Sequence, residues 1–521
     1  MLTSSAVAQA PGSKEMRVIE NSTQDELDMQ RLGKQQQLKR NFRFVSLLGF
    51  TCTLMATWES VLLTNSYGLI NGGRAGMVYV YIGSFVGFFA SVVSLAEIAS
   101  RAPTAGGQYH WVSEFAPPSC QRFLSYITGW LSVLGWQAAF ASICFLCGTL
   151  IQGLLVTVYS EPAAGYVYSY ERWHGTLLTV AIAVVAAIFN TWGARWLPSL
   201  ERVLLFIHIF GFFAVLVPLW VKADRASDNE VFRTFTNSGG WPSMGLACLV
   251  GQLSPIFSFT GPDAATHMAE EIRDASRVVP WCMISTALIN GALGFVMLIT
   301  YLYTMGDIES ALEAPSGFAF ITAFQNATGS SATAVGLACI ILVLEVCSAI
   351  SILATTSRQI FAFARDRALP FSRVLAYVHP QSNTPIWSVL FTVFVTVLLS
   401  LINIGSTAAF NAIASLTVAS LLTTYIFAIG CFVIARRNSG MLPPARFSLG
   451  AYGAAINLFS LAYLSFFVIF IFFPTTREVT PSSMNWSVLM VGAVILFATF
   501  QYALCGRTVY QAPAALVQKD R

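Results

Sequence analysis

Four ionisable side chains, Glu59, His208, Asp263 and Glu345, fall inside apolar stretches of this chain, where a lipid-facing charge is expensive. Each therefore points to a substrate or proton pathway. Glu59 follows Trp58, and a carboxylate beside an aromatic face suits an ammonium or quaternary amine through charge and cation–π attraction. The alternative for Glu59 is a structural acid that satisfies freed backbone amides. Asp263 follows Gly261-Pro262; it can bind a substrate amine, couple gating to protonation, or cap the helix that restarts there. Phe257 and Phe259 precede that break and either gate a substrate or simply pack. Glu345, in ACIILVLEVCSAIS, is placed to carry a proton or to partner a polar group on the first span. His208, whose imidazole changes charge near neutrality, is placed to carry a proton or to pack as a hydrogen-bonded histidine. Thr57, Ser60, Ser258, Thr260 and Gly261 complete the expected substrate-binding set around Trp58, Glu59, Phe257, Phe259 and Asp263.

The elements that position these groups are membrane helices with interruptions. GLACLVGQLSPIFSFTGPDAATHMAEE (245–271) is long enough to span a bilayer, yet Pro255, Gly261 and Pro262 break its hydrogen-bond ladder. Backbone groups freed in hydrocarbon persist only where they are buried in protein or line a wet cavity. A half-helix end beside an acid is how secondary transporters build a midplane site. The first span, FRFVSLLGFTCTLMATWESVLLTNSYG, has no proline; its break is inferred from Glu59, its Ser/Thr density and its position five spans before the other.

Composition agrees. The 521 residues are 55% apolar and 10% charged with mean hydropathy +0.65, against about 25% charged in soluble proteins. So much apolar surface requires lipid as solvent. About twelve spans of all-α character are expected, near 43–66, 76–99, 122–156, 175–194, 199–221, 243–270, 280–304, 331–356, 386–404, 408–434, 450–473 and 485–506. The third and sixth are long enough to imply tilt or a break, and Gly405–Ser406 is a short turn between the ninth and tenth. Residues 1–40 read as a disordered cytoplasmic tail, 41–506 as the membrane domain and 507–521 as a second cytoplasmic tail. With both termini inside, only Arg74, Arg172, Lys222, Arg225, Arg233 and Arg477 of the 29 Lys and Arg fall outside, as the positive-inside rule requires. The sequons at Asn326 and Asn485 then face outward as weak glycosylation signals. The loop Asp307–Phe324 is amphipathic and suits a short helix over the outer face, and Gly83-x-x-x-Gly87 allows close helix packing.

Other functions are excluded or disfavoured. The net charge of +4 is scattered, so nothing supports nucleic-acid binding. The ten cysteines, Cys144-x-x-Cys147 included, lie in or beside apolar segments and read as reduced packing groups. His267-x-x-Glu270-Glu271 lacks a third metal ligand and reads as a charged cytoplasmic latch with Arg273 and Arg277. Glu97 and Glu201 read as ordinary interfacial groups. No P-loop, dinucleotide fingerprint or nucleophile elbow is present, so neither an enzyme nor a cofactor is expected.

SLAEIASRAPTAGGQYHWVSEFAP (94–117) resembles the loop between helices two and three of amino acid–polyamine–organocation transporters. FSFTGPDAATHMAEEIRDASRVVP (257–280) resembles their broken sixth helix and the charged segment after it. Both look like the fungal amino acid/choline permease branch, and the resemblance covers about residues 40–505. It implies a five-plus-five inverted repeat (about 43–221 and 243–434) with two further helices (about 450–506) and broken helices one and six. Substrate would bind between helices 1, 3, 6, 8 and 10. Trp58-Glu59-Ser60 matches the Gly-rich turn that receives a substrate carboxylate in bacterial members. Glu59 there would repel a carboxylate and favour an amine or choline-like ligand, unless it is protonated. Phe257 matches the gating aromatic and Asp263 the coupling acid, while His208 is similar in placement to a lysine of some proton-coupled relatives. The expectation is a proton-coupled permease, at the plasma membrane or an endomembrane such as the vacuole, for an amino acid, GABA, choline or related amine. A non-transporting nutrient sensor and an exporter or exchanger of an amino-acid-derived metabolite are the alternatives.

Overall fold

A computed structural model describes residues 23–159, 167–405, 409–437, 442–481 and 483–517. Among these, twelve helices are long and apolar enough to cross a membrane, from Phe44–Leu63 to Ser487–Ala515. They are called the first to twelfth spans here. Gln121–Val158, the third, is one continuous helix, about 57 Å long at 1.5 Å per residue. Of the two expectations for this long span, tilt or a break, the break is absent. The Ser406 side of the expected turn between the ninth and tenth spans lies outside the described residues.

Both expected interruptions exist. The sixth span stops at Phe259, runs extended through Thr260 and restarts as the short helix Ala264–His267. Gly261 adopts φ +123°, open to glycine and strained for other residues, and Pro262 has no amide to donate. The first span breaks between Phe44–Met55 and Thr57–Leu63, at Ala56, which is left-handed at φ 40° and ψ 49°. A non-glycine residue there costs about 1–2 kcal/mol, so neighbours must hold it. Asn290 Nδ2 donates to the Cys52 carbonyl at 3.0 Å, and Ser348 Oγ donates to the Leu54 carbonyl at 2.8 Å. These side chains from the seventh and eighth spans satisfy carbonyls of the last turn before the break. The two breaks also meet each other: Thr57 Oγ1 donates to the Ser258 carbonyl at 2.8 Å, and a Cβ on Gly261 would lie 2.7 Å from Leu54 Cδ2.

The described terminal segments, from residue 23 and up to residue 517, meet on one face of the bundle, the termini face, where Gly33 lies against Leu516. The expected disordered tail is corrected for residues 23–40; residues 1–22 lie outside the described part. Gln24–Arg31 is a helix with a Thr23/Glu26 capping box, and Met29, Leu32 and Leu38 are buried. Asp25 accepts from the amides of Asp274 and Ala275 at 2.8 and 3.0 Å, capping the seventh span, and Lys34 forms a buried ion pair with Asp366. A polar segment therefore orders because specific partners satisfy its charges. The C-terminal segment also packs: Tyr510 is buried and the Gln511 amide donates to the Asp366 carbonyl at 2.9 Å.

On the opposite, far face, Asn71–Gly72 pairs antiparallel with Thr236–Asn237. The Asp307–Phe324 region forms two short helices, Ile308–Leu312 and Ala319–Thr328. Asn326 is exposed there. The Asn485 sequon is corrected: its side chain is fully buried, with the amide donating to Ser415 Oγ and to the carbonyls of Ile471 and Phe473. A glycan has no room on it in the folded chain.

Candidate functional site

Where the two breaks meet, a cavity of about 30 Å³ is enclosed by the first, third, sixth, eighth and tenth spans. Leu54, Met55, Ala139, Ile143 and Ile352 give it apolar walls; Trp136 and Phe257 give aromatic ones; Ser60, Thr260, Ser348 and Thr417 bring hydroxyls; and Gly261 completes the wall. No lining side chain is charged. The volume holds only a water or two, so this is a closed conformation.

Closure is visible on both sides. Toward the far face Phe257 meets Phe410 edge-on at 5.9 Å, and Phe410 stacks on Phe145 and Tyr67 at 6.0 and 6.3 Å. Beyond this layer lies a vestibule of about 800 Å³ with Glu171, Arg172 and Trp173 on its wall. Toward the termini face Trp136 Nε1 donates to His267 Nε2 at 3.1 Å, and His267 Nδ1 donates to the Ala105 carbonyl at 2.9 Å. Asp263 accepts from Tyr425 Oη at 2.6 Å and from Gln108 Nε2 at 2.7 Å. One turn further, Glu271 pairs with Arg358 at 2.8 Å and Glu270 makes two parallel bonds to Arg365 at 2.7 and 2.8 Å. Burial works against the Glu270 carboxylate, yet the Arg365 guanidinium holds its carboxyl below the usual range. Below these pairs a second vestibule of about 720 Å³ opens, lined by Lys39, Arg195, Arg358 and His379.

The partners expected for His267-x-x-Glu270-Glu271 are corrected: Glu271 pairs with Arg358 and Glu270 with Arg365, not with Arg273 and Arg277. Glu270 and Glu271 point into the bundle toward the eighth span, while Arg273 and Arg277 are exposed and Arg273 bonds the Arg40 carbonyl. No group of metal-ligand residues occurs among the described residues.

The expected binding set divides. Ser60, Phe257, Thr260 and Gly261 line the cavity. Thr57 and Ser258 brace the breaks, Ser258 Oγ bonding the Ser254 carbonyl at 3.0 Å. Phe259 turns to the second span and packs on Tyr81 at 4.8 Å. Trp58 packs on His208 and Phe212, each at 6.0 Å. Because the break falls at Ala56, the next turn is already helical; at 100° per residue, Ser60 faces the cavity while Glu59 faces the fifth span. The ammonium box of Trp58 and Glu59 is therefore not part of the cavity wall.

Glu59, His208 and Glu345 instead gather in a separate polar seam between the first, fifth, seventh and eighth spans. Glu59 Oε1 lies 2.7 Å from His208 Nδ1, and His208 Nε2 lies 3.2 Å from Asn290 Oδ1. Only the amide nitrogen of Asn290 can donate to the Cys52 carbonyl, so its oxygen accepts and His208 Nε2 carries a proton. The contact between Nδ1 and Oε1 then needs one further proton, held by either group. Glu345 is fully buried within electrostatic range of Glu59, and neither of its carboxyl oxygens has a hydrogen-bond partner. Sequence reasoning missed Asn290, Trp136, Gln108 and Tyr425. Asn290 carried a signal, as an amide in mid-span.

A profile of the amino acid permease family matches residues 42–495. A Macrophomina phaseolina protein described as a candidate amino acid/polyamine transporter is 31% identical over 85% of this chain and 96% of its own. The choline transporter of Saccharomyces cerevisiae is 28% identical, over 91% of this chain and 83% of its own. Amino-acid permease 2 of Neurospora crassa is 28% identical, over 93% and 88%. The chain belongs to the amino acid permease family of the amino acid–polyamine–organocation superfamily: it is a multi-pass transporter of small nitrogenous solutes, not an enzyme.

Proposed function

We propose that this permease carries a small, net-neutral amino acid by alternating access, driven by one proton held at Glu59–His208, with both termini in the cytoplasm. The meeting of two helix breaks at a cavity with no charged wall carries this reading. In a low-dielectric site an uncompensated cation costs several kcal/mol, whereas a zwitterion brings its own counter-charge. The hydroxyls of Ser60, Thr260 and Thr417, with the backbone groups freed at the breaks, can take its polar ends, and the Trp136 and Phe257 rings offer π faces to its ammonium. Phe257 and Phe410 close the outer side; Trp136, His267 and the two Glu–Arg pairs close the inner one. Asp263 acts in this inner closure through Tyr425 and Gln108, not as a solute ligand. The scarcity of Lys and Arg in far-face loops supports the orientation.

The proton enters the mechanism through backbone geometry. His208 is tied through Asn290 to the Cys52 carbonyl at the first-span break, and through its other nitrogen to the helix that follows. Removing the shared proton sets a carboxylate against the Nδ1 lone pair and loosens the first span from the fifth. Binding and protonation are thereby linked without contact between solute and acid.

Reconstituted vesicles with imposed pH gradients test this. For one proton per solute, each pH unit is worth about 1.4 kcal/mol, a tenfold accumulation ratio. Neutral amino acids and GABA should accumulate and choline should not. Glu59→Gln, which fixes a neutral amide–imidazole bond, should abolish accumulation driven by the gradient. Accumulation indifferent to pH sinks the coupling, and accumulation of choline alone sinks the zwitterion reading. A ligand-dependent thermal shift without any transport favours a sensor.

A further inference from the structure

Glu201 stands four residues inside the termini-face end of the fifth span, Leu197–Lys222, fully buried. One carboxyl oxygen accepts from Ser351 Oγ at 2.8 Å; the other has no hydrogen-bond partner, and no ion pair reaches it among the described residues. Its charged sequence neighbours turn away: Arg202 bonds Ser199 at the surface and Arg195 lies over the Trp196 ring. The groups facing Glu201 are Ser351 and the Cys347 thiol of the eighth span, together with the backbone of the first span at Gly49. An unpaired buried acid is costly in stability terms, and structural need does not explain it.

Its placement does. Glu201 lies two turns, about 10.5 Å, below His208 on the same buried stripe of the fifth span. On the facing eighth span, Glu345, Ser348, Ser351 and Thr355 form a continuous buried polar stripe. The seam that begins at Glu59, His208 and Glu345 therefore runs toward the termini face and ends at Glu201. What seals it is the Phe44–Met55 half of the first span: a Cβ at Gly49 would overlap the Glu201 carbonyl, so the two backbones touch there. The inner vestibule is bordered on one side by Lys39 and Asn41, which lead into that half-helix, and on the other by Ala194 and Arg195, which lead into the fifth span. Swinging the half-helix away would open Glu201 to that vestibule.

We propose that Glu201 is the cytoplasmic port of the proton path, with Ser351 as its positioning residue; this rests on the proton coupling proposed above. When the first span moves, the proton leaves the Glu59–His208 pair and an O–H bond forms on the Glu201 carboxylate. That acid then releases the proton to cytoplasmic water, regenerating the carboxylate. The site that opens the cavity inward is then also the site that lets the proton out.

The test compares two assays in reconstituted vesicles of fixed orientation. Solute exchange at equal pH needs no proton release, whereas net uptake driven by a pH gradient does. Glu201→Gln keeps an acceptor for Ser351 and should lower gradient-driven net uptake at least tenfold while exchange continues. Its net uptake should also lose the dependence on cytoplasmic-side pH that the native protein shows, and Glu201→Asp should restore part of both. Ser351→Ala should slow net uptake several-fold. Net uptake by Glu201→Gln within twofold of native, with its pH dependence intact, overturns the port alone. Loss of exchange in both Glu201 variants also overturns it, marking a structural residue. If the native protein shows no gradient dependence at all, the coupling itself is wrong and the port falls with it.

Discussion

Glu270→Gln should shift the permease toward its inward-open form by one and a half to two orders of magnitude. In the closed structure Glu270 is fully buried and grips Arg365, 14% exposed, through two parallel bonds of 2.7 and 2.8 Å. Glu270 belongs to the segment after the sixth-span break and Arg365 ends the eighth span, so the pair staples two walls of the pathway on the termini face, the inner one in the proposed orientation. Deleting one member of a buried pair costs about 3–5 kcal/mol. Glutamine keeps one acceptor for the guanidinium, and Asp366 lies close enough to share the stranded charge, which brings the loss to about 2–3 kcal/mol. In the open form both groups meet water, so nearly all of that loss falls on the closed state. At 1.4 kcal/mol per decade the ratio of open to closed rises about 30- to 100-fold. The readout is the alkylation rate of a Thr417→Cys variant by an impermeant thiol reagent applied from the cytoplasmic side, less the rate of the same protein without that cysteine. Thr417 lines the central cavity, so its rate reports inner opening. Far-side labelling should fall reciprocally. Arg365→Gln should do the same, and the double variant should add little to either single one. A Glu270→Gln rate within twofold of its parent, or two fully additive effects, would show that the pair does not hold the gate.

Two further outcomes test packing and the termini face. Gly87→Ala would drive a Cβ into the Tyr463 ring, which is pinned against Phe467 at 4.5 Å, whereas Gly83 has open space. Overpacking of about 1–3 kcal/mol should lower the thermal midpoint of Gly87→Ala in detergent, and Gly83→Ala should leave it unchanged or slightly raised. Burial pushes the His110 imidazole below its usual value of 6.5, although Glu114 and Asp366 oppose the shift and Lys34 adds to it. Below that value the unfolded chain takes up a proton that the folded one resists, so this contribution is intact above it and lost as the pH falls. The thermal midpoint should drop between pH 7.5 and 5.5, and His110→Phe should flatten the slope; an equal slope in both proteins refutes the assignment.

How much of this the sequence disclosed depended on whether a feature was local. The sixth-span break was legible because Gly261 and Pro262 each impose it through their own backbone chemistry. Ala56 imposes nothing; its left-handed turn is held by Asn290, Ser348 and Ser258, more than two hundred residues away. Placing that break at Trp58–Ser60 rather than at Ala56 was enough to aim Glu59 at the solute instead of at His208. The same limit misassigned the latch, since Arg273 and Arg277 are near in sequence but Arg358 and Arg365 are near in space. It also hid the order of residues 23–40, whose charges find distant partners such as Asp366 and the seventh-span amides. The Asn485 sequon failed likewise, because three residues of pattern carry no information about burial.

Glu59 facing away from the cavity has a mechanistic consequence. With Ser60 on the cavity and Glu59 against His208, adjacent residues of one half-helix face two separate compartments, which the proposed cycle assigns to solute and proton. No direct charge contact between solute and proton is then required. Coupling follows if the half-helix can satisfy both compartments in only one of its positions, and the backbone contacts at Cys52, Leu54 and Ser258 define one such position. Solute selectivity and proton coupling should accordingly be separable by mutation. Changes at Ser60 or Thr417 should alter which solute accumulates in reconstituted vesicles, and changes at His208 or Asn290 should alter whether an imposed pH gradient drives it.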